Sequence, residues 1–280
     1  MSEAWKKPAR SGVLFYIWVA AAALVLGWLE FFPPVYSSDE LIDELWRVSV
    51  SRLAGAAFFL PLAMPGFSGY RLIGIKKPLA ALDVAVVAAS AAVVVNNLPI
   101  LGLLSGRAYI TRGAGEIALF TLYAFSIGLF EEIAFRGVLF PVILERGRGT
   151  KKGIFIATVA GSALFGAVHL VNLFFGAGPG GVILQVGYSF LIGGMCSIVL
   201  LRTGCVWICV ALHGTFDFAG YLVPKLGDGI IWDTATVILT AVLGVAVLAF
   251  MLYALSRTMP RDIDFIFEKK TDTEERNVES

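Results

Sequence analysis

Charged residues are scarce in this 280-residue sequence, where they make up only 15% of the chain. A soluble domain contains about 25% charged residues. Apolar residues take their place and reach 58%. This balance excludes an ordinary water-soluble domain and is typical of a protein embedded in a lipid bilayer. The formal net charge of +1 gives no indication of nucleic-acid binding.

Cysteine is also rare. The three cysteines, Cys196, Cys205 and Cys209, lie in apolar stretches and form no CxxC motif. Cys205 and Cys209 share a helix face at i, i+4, which leaves a metal or redox role open. Small packing residues are the better explanation for all three.

Long apolar runs recur along the chain, and eight of them are long enough to cross the roughly 30 Å hydrocarbon core of a bilayer as helices. They are Gly12–Phe32, Val48–Met64, Ala80–Ile100, Gly115–Leu144, Gly153–Leu173, Val182–Leu201, Cys205–Val223 and Ile230–Leu255. The sequence therefore predicts an all-α fold, a polytopic transmembrane helix bundle of about eight spans. The first run is too long for a signal-peptide core and is expected to be retained.

Lysine and arginine are unevenly shared between the two sides of this bundle. The side that carries both termini holds sixteen of them and the opposite side holds four. Positive residues favour the cytoplasmic side, so both termini are expected to be cytoplasmic, which agrees with an even number of spans. A multi-pass protein of a bacterial cell membrane is the expected setting. The polar tail from Lys269 onward is expected to be disordered.

A short interfacial helix is predicted before the second span. Ser37 and Glu40 have the spacing of a capping box, and Leu41, Leu45 and Val48 recur on one face.

Ionisable residues inside the predicted spans are few, and each is costly in hydrocarbon. Arg52 is expected to snorkel or to pair with a neighbouring helix. Those near span ends, expected to reach water, are Asp83, Glu116, Arg202 and Asp233. The set that remains is Glu131, Glu132, Arg136, His169, His213 and Asp217.

Two adjacent glutamates dominate this set. Glu132 and Arg136 stand at i, i+4 with the acid first, the better order for a helical ion pair. That pair leaves Glu131, about 100° around the helix, without a local partner. A carboxylate in such a position suits a general base or acid. The alternative, a purely structural clamp, needs only one glutamate.

Both histidines of the chain lie in predicted spans. Either one alone is more often a satisfied core residue than a catalytic one, but two of two inside the membrane favour a site. His213 has Asp217 at i+4, where the carboxylate can orient its ring or contact a substrate. At about 1.5 Å of rise per residue, polar groups on three helices reach similar depths, so they can converge.

Three motifs occur in order over residues 130–217. Glu131-Glu132-Ile133-Ala134-Phe135-Arg136 reads EExxxR, residues 165–169 read FxxxH, and residues 213–217 read HxxxD. Together they resemble the motifs of the CAAX protease and bacteriocin-processing (CPBP or Abi) family of glutamic-type intramembrane endopeptidases, which includes the type II CAAX prenyl endopeptidases. A lone EExxxR motif would be far less specific than this ordered set.

The resemblance implies an intramembrane endopeptidase that hydrolyses a peptide bond of a membrane-anchored or lipidated protein or peptide. In that mechanism Glu131 and His169 would activate a water molecule. His213 and Asp217 would lie near the developing oxyanion. The residues expected to support the site are Glu132, Arg136 and Phe165.

Asp217 departs from the asparagine form of the last motif. Asparagine can donate a hydrogen bond to an oxyanion, whereas an ionised aspartate cannot. Asp217 is therefore expected to orient His213 or to act in its protonated form.

No cofactor is expected. Two histidines and two glutamates could ligate zinc, but the HExxH spacing of zinc proteases is absent and the resemblance favours metal-free glutamate chemistry. Two other functions stay open, a proton-coupled transporter that uses the same residues as a relay and a non-catalytic bacteriocin-immunity protein. The expected partners are the bilayer and a membrane-anchored substrate, with no nucleic acid.

Three parts are predicted along the chain. Residues 1–114 hold spans one to three, residues 115–223 form a catalytic membrane core with the three motifs, and residues 224–280 hold the last span and the polar tail.

Overall fold

The computed structural model describes residues 17–18, 21, 24–25, 27–29, 32, 34–64, 70–75 and 78–267. The first predicted span, Gly12–Phe32, lies largely outside the described residues, as does the polar tail from Lys269. The described chain is mostly helical, as predicted. Its α-helices are α1 (Glu40–Ala63), α2 (Ala81–Asn96), α3 (Ile100–Leu104), α4 (Ala114–Glu132), α5 (Phe140–Gly147), α6 (Lys151–Ala167), α7 (Pro179–Thr203), α8 (Val206–Leu226) and α9 (Thr234–Ser256).

Four helical segments are long and apolar enough to cross a membrane. They are α6 with its 3₁₀ extension (Lys151–Leu173), α7, α8 and α9. α2 is a shorter apolar helix. The predicted second and fourth spans correspond to α1 and α4, which carry more charge. The total of eight spans and the cytoplasmic position of the termini stay predictions.

The fourth predicted span is a continuous helix that changes type in its middle. A π-helix, Ile133–Leu139, joins α4 to α5. π-Helical turns are rare and often occur at functional sites, and this one coincides with the second half of the EExxxR motif. α4 packs against α1 on one side and α8 on the other, and α6 packs against α7.

A short two-stranded antiparallel sheet links the start of α4 to the end of α8. Strand β1 (Ala108–Ile110) pairs antiparallel with β2 (Gly227–Gly229), with Ala108 opposite Gly229. Arg107 forms an ion pair with Asp233, which also caps α9 by accepting a hydrogen bond from the Thr236 amide. These contacts fix the ends of the helices that carry the polar set.

The start of α1 differs from the predicted capping box. Asp39, not Ser37, is the N-cap, and its carboxylate accepts hydrogen bonds from the amides of Leu41 and Ile42. Ser37 accepts instead from the Asp39 amide. The interfacial segment and the second span form one helix, because no residue between Glu40 and Ala63 interrupts it.

The expectation that Asp83 and Arg202 reach water is wrong. Asp83 is fully buried in the first turn of α2, and the Arg202 guanidinium at the end of α7 contacts Asp83 Oδ1 at 2.6 Å. The second carboxylate oxygen accepts from the Ala80 amide. The two charges neutralise each other, so neither needs water, and the pair ties α2 to α7.

Candidate active site

Glu132 is the buried centre of the polar cluster. It ends α4 and has no exposed surface. Its Oε1 lies 3.0 Å from Arg136 Nη1 and 2.8 Å from His213 Nδ1. The i, i+4 pair with Arg136 is therefore formed as predicted, and the same oxygen also holds a histidine from α8. Since an ionised carboxylate only accepts, the proton of this contact lies on His213 Nδ1.

His213 directs its other nitrogen toward two more carboxylates. Nε2 lies 3.5 Å from Asp217 Oδ2 and 3.9 Å from Glu131 Oε2. Glu131 keeps 18% of its side chain exposed, whereas that of Glu132 has none. The two adjacent glutamates thus occupy different environments, one enclosed with Arg136 and one open beside the histidine.

Phe165 is the aromatic centre of the site. Its ring meets the rings of His169 and His213 edge to face, with centroids 5.5 Å and 5.7 Å away. The Arg136 guanidinium lies over the same ring at 4.3 Å, a cation–π contact. This explains the phenylalanine of the FxxxH motif, since one buried ring contacts three members of the polar set.

His169 joins the cluster through Phe165. It lies in the 3₁₀ segment Val168–Leu173 that extends α6, and its Nδ1 lies 2.9 Å from the Phe165 carbonyl oxygen. A carbonyl only accepts, so Nδ1 carries the proton and Nε2 keeps a lone pair. Within the described part of the chain, no ion-pair contact joins His169 to Glu131. The structure brings Glu131, Glu132, His213 and Asp217 together, and His169 contacts the Phe165 ring that also contacts His213.

Two glycines allow the close packing around the site, because a side chain at either position would collide with its neighbours. A Cβ on Gly193 of α7 would lie 3.0 Å from both Arg136 Nη2 and the Phe165 ring, so glycine leaves space for the stacked pair. A Cβ on Gly128 of α4 would lie 2.7 Å from the Gly214 amide of α8. Gly187 of α7, in contrast to Gly193, faces open space.

One group of possible metal ligands exists among the residues that the structure describes. Glu132, Cys196 and Cys209 place their ligand atoms within 4.8 Å of one another. Cys209 Sγ donates to the Cys196 carbonyl at 3.2 Å, which indicates a protonated thiol, and Glu132 already binds Arg136 and His213. The neighbour of Cys209 is thus Cys196 from α7 and not Cys205 at i−4. All three cysteines are free and buried, as packing residues are.

An apolar cavity of about 890 Å³ is lined by residues of α2, α6, α7, α8 and α9. Its polar lining includes Tyr188 and Tyr221, whose hydroxyl oxygens are 3.1 Å apart. Tyr188 also contacts Phe216, the neighbour of Asp217. Sequence reasoning missed both tyrosines, although Tyr221 stands at i+4 from Asp217, which is a usable signal.

Clustered carboxylates and histidines on apolar helices define a polar site of the kind used by intramembrane hydrolases. Residues 113–219, which contain the whole cluster, match the family model described as Type II CAAX prenyl endopeptidase Rce1-like. The chain therefore contains an Rce1-like domain, and members of that family are hydrolases that act on peptide bonds in proteins. No curated protein and no solved structure matches the chain.

Proposed function

We propose that this protein is an intramembrane endopeptidase that cleaves a membrane-anchored or lipidated protein or peptide with a water molecule activated by Glu131. The observation that carries the proposal is the approach of both Glu131 and Asp217 to His213 Nε2, with Nδ1 fixed by Glu132. The family domain over residues 113–219 supports the same chemistry.

Glu131 is the general base in this mechanism. Unlike Glu132, it has an exposed face and, among the residues that the structure describes, no arginine partner, so a water molecule can reach it. As the water oxygen bonds to the scissile carbonyl carbon, one water proton passes to Glu131 and the C=O π pair becomes the oxyanion. When C=O re-forms and the C–N bond breaks, Glu131 returns that proton to the leaving amine.

The two histidines have separate roles. His169 Nε2, which keeps its lone pair, accepts the second hydrogen of the attacking water and orients it. His213, when protonated, donates from Nε2 toward the developing oxyanion, and Asp217 holds the ring in that position. Glu132, Arg136 and Phe165 keep His213 in place without touching the substrate.

The substrate class follows from where the site lies. α6, α7 and α8, which carry His169 and His213, are candidate membrane spans. An apolar cavity opens beside them. A substrate with an apolar anchor can approach within the bilayer, whereas a soluble peptide would first lose its hydration. The catalytic core is proposed to comprise residues 115–223.

Hydrolysis in H₂¹⁸O tests the proposal directly. Membranes from cells that express wild type, Glu131→Gln, His169→Ala or no protein would be incubated in labelled water, and peptides would be identified by mass spectrometry. Peptides with ¹⁸O in a new C-terminal carboxyl are expected only with wild type. Glu116→Gln is the matched control, because it lies in the same helix about 22 Å away along the axis.

If the variants insert into the membrane as well as wild type and unfold at the same temperature, a loss of cleavage comes from the loss of a catalytic group and not from misfolding. Labelled products that persist with Glu131→Gln would exclude this residue as the base. A wild-type profile identical to that of the empty control would oppose proteolysis and favour transport or partner binding by the same polar set.

A further inference from the structure

The oxyanion side of the site has few hydrogen-bond donors. Asp217 is an acceptor when ionised, so it cannot do what asparagine does at this position of the motif. His213 already donates from Nδ1 to Glu132, which leaves only Nε2 for the substrate. Loss of one donor from an oxyanion site lowers turnover by about 100-fold or more. A second donor near Asp217 would therefore have a large effect.

Tyr221 is positioned to supply that donor. It lies one turn after Asp217 on α8, about 6 Å along the axis. Long side chains on a helix point back toward its N-terminus and cover the residue at i−4, which here is Asp217.

Tyr188 of α7 contacts α8 on both sides of Asp217 in sequence, at Phe216 and at Tyr221. Its hydroxyl lies 3.1 Å from that of Tyr221, and its ring centroid lies 6.2 Å from that of Phe216. Both tyrosines also line the apolar cavity, next to the turn of α8 that carries Asp217.

The hydroxyl pair has one donor to spare. Two phenols carry two O–H groups, and their mutual hydrogen bond uses one of them. Among the described residues, no further hydrogen bond is formed by Tyr188 or Tyr221. A hydroxyl that faces an apolar cavity without an acceptor is costly, so the remaining O–H is available for a carbonyl oxygen that enters the site.

We propose that Tyr221, oriented by Tyr188, donates a hydrogen bond to the scissile carbonyl oxygen and supplies the donor that Asp217 lacks. Tyr188 donates to the Tyr221 oxygen, which leaves the Tyr221 proton directed at the substrate. This inference rests on the proposed peptidase activity. It makes Tyr221 a catalytic residue and Tyr188 a positioning residue.

The assignment is tested by the initial rate at which ¹⁸O-labelled peptides form. The rate is measured at several concentrations of the membranes that carry the substrate, so that kcat and KM are obtained separately. We expect Tyr221→Phe to lower kcat about 100-fold with KM changed less than about threefold, because the donor acts on the transition state. Tyr188→Phe should lower kcat about tenfold. The matched control is Tyr253→Phe on the exposed side of α9, which should keep wild-type rates.

A double-mutant cycle with Asp217→Asn separates this role from a structural one. Asparagine restores a donor, so Tyr221→Phe should lower the rate less than about tenfold in the Asp217→Asn background. Wild-type kcat for Tyr221→Phe, or a purely raised KM, would overturn the inference, as would an undiminished loss in the double variant. Absence of labelled products with wild type would overturn the proposed function as well, which distinguishes the two failures.

Discussion

Gly128 of α4 and Gly214 of α8 lie backbone against backbone, so that a Cβ on Gly128 would come within 2.7 Å of the Gly214 nitrogen and 3.0 Å of its Cα. This contact sets the distance between the two helices. His213 precedes Gly214, and Glu132 lies one turn after Gly128, which is why their side chains meet at 2.8 Å. A backbone approach of this kind positions the candidate active site.

Gly128→Ala should therefore separate α4 from α8 and abolish most activity. The added methyl group meets backbone atoms, which cannot rotate away, and overpacking of this kind costs about 1–3 kcal/mol. We expect labelled-peptide formation to fall at least about 100-fold, since displacements near 1 Å have such effects on catalysis. Gly115→Ala in the same helix has open space around its Cβ and serves as the control. Full activity of Gly128→Ala would show that the helix crossing tolerates a shift.

The two adjacent glutamates should respond differently to the same substitution. Glu132→Gln removes the counter-charge of the buried Arg136, and a buried charge left without its partner costs about 3–5 kcal/mol. Glu131→Gln removes only a 3.9 Å contact with His213 and should change the free energy of unfolding by less than about 1 kcal/mol. Both variants should be inactive. Thermal unfolding in detergent, together with the ¹⁸O assay, measures the two effects separately.

The reverse pattern would exchange the roles of these residues. If Glu131→Gln unfolded at the lower temperature but kept its activity per folded molecule, while Glu132→Gln was stable and inactive, Glu132 would be the base and Glu131 the structural partner.

The sequence predicted the helical class, most helix positions and the polar set, because these depend on apolar run length and on the cost of charge in hydrocarbon. The i, i+4 spacing also predicted the Glu132–Arg136 pair, which is local to one helix. The contact between Glu132 and His213 joins residues 81 positions apart in the chain. Only the crossing of α4 and α8 defines it, and no local pattern encodes that crossing.

Other features could not be predicted from the sequence for similar reasons. The π-helix at Ile133–Leu139 changes the hydrogen-bonding register inside a continuous helix, and the length of an apolar run does not encode such a change. Asp83 was expected to reach water because it lies near a span end, but its partner Arg202 is distant in sequence. The pairing of Tyr188 with Tyr221 likewise requires knowledge of which faces of α7 and α8 meet.

The Asp83–Arg202 pair should contribute to stability and not to chemistry. Arg202→Met leaves a carboxylate that is fully buried without its guanidinium, at a cost of about 3–5 kcal/mol. The double variant Asp83→Asn/Arg202→Met should recover most of that loss, because asparagine is neutral and can still accept from the Ala80 amide. Thermal unfolding of the three proteins checks the order. If the stability losses of the two substitutions simply added, the charge-pair explanation would be contradicted. Cleavage activity per folded molecule should stay at the wild-type level in all variants.

Asp39 should make the start of α1 sensitive to acid. The Ile42 amide and the Arg112 guanidinium, which lies 3.2 Å from Oδ2, hold the pKa of this carboxyl below its ordinary value of 3.8. A lowered folded-state pKa stabilises the protein above pH 3.8, and the stabilisation is lost as the pH falls through the folded-state value.

Asp39→Asn keeps an acceptor for the helix amides but cannot ionise, so comparison with wild type isolates the titration. We expect wild type to unfold at the higher temperature at pH 7 and the difference to shrink steadily as the pH falls below 3.8. High salt should also shrink the difference, because the pair with Arg112 is partly exposed. The other carboxylates titrate in both proteins and cancel from the comparison. A difference in unfolding temperature that is constant between pH 7 and pH 2 would show that the charge of Asp39 does not stabilise α1.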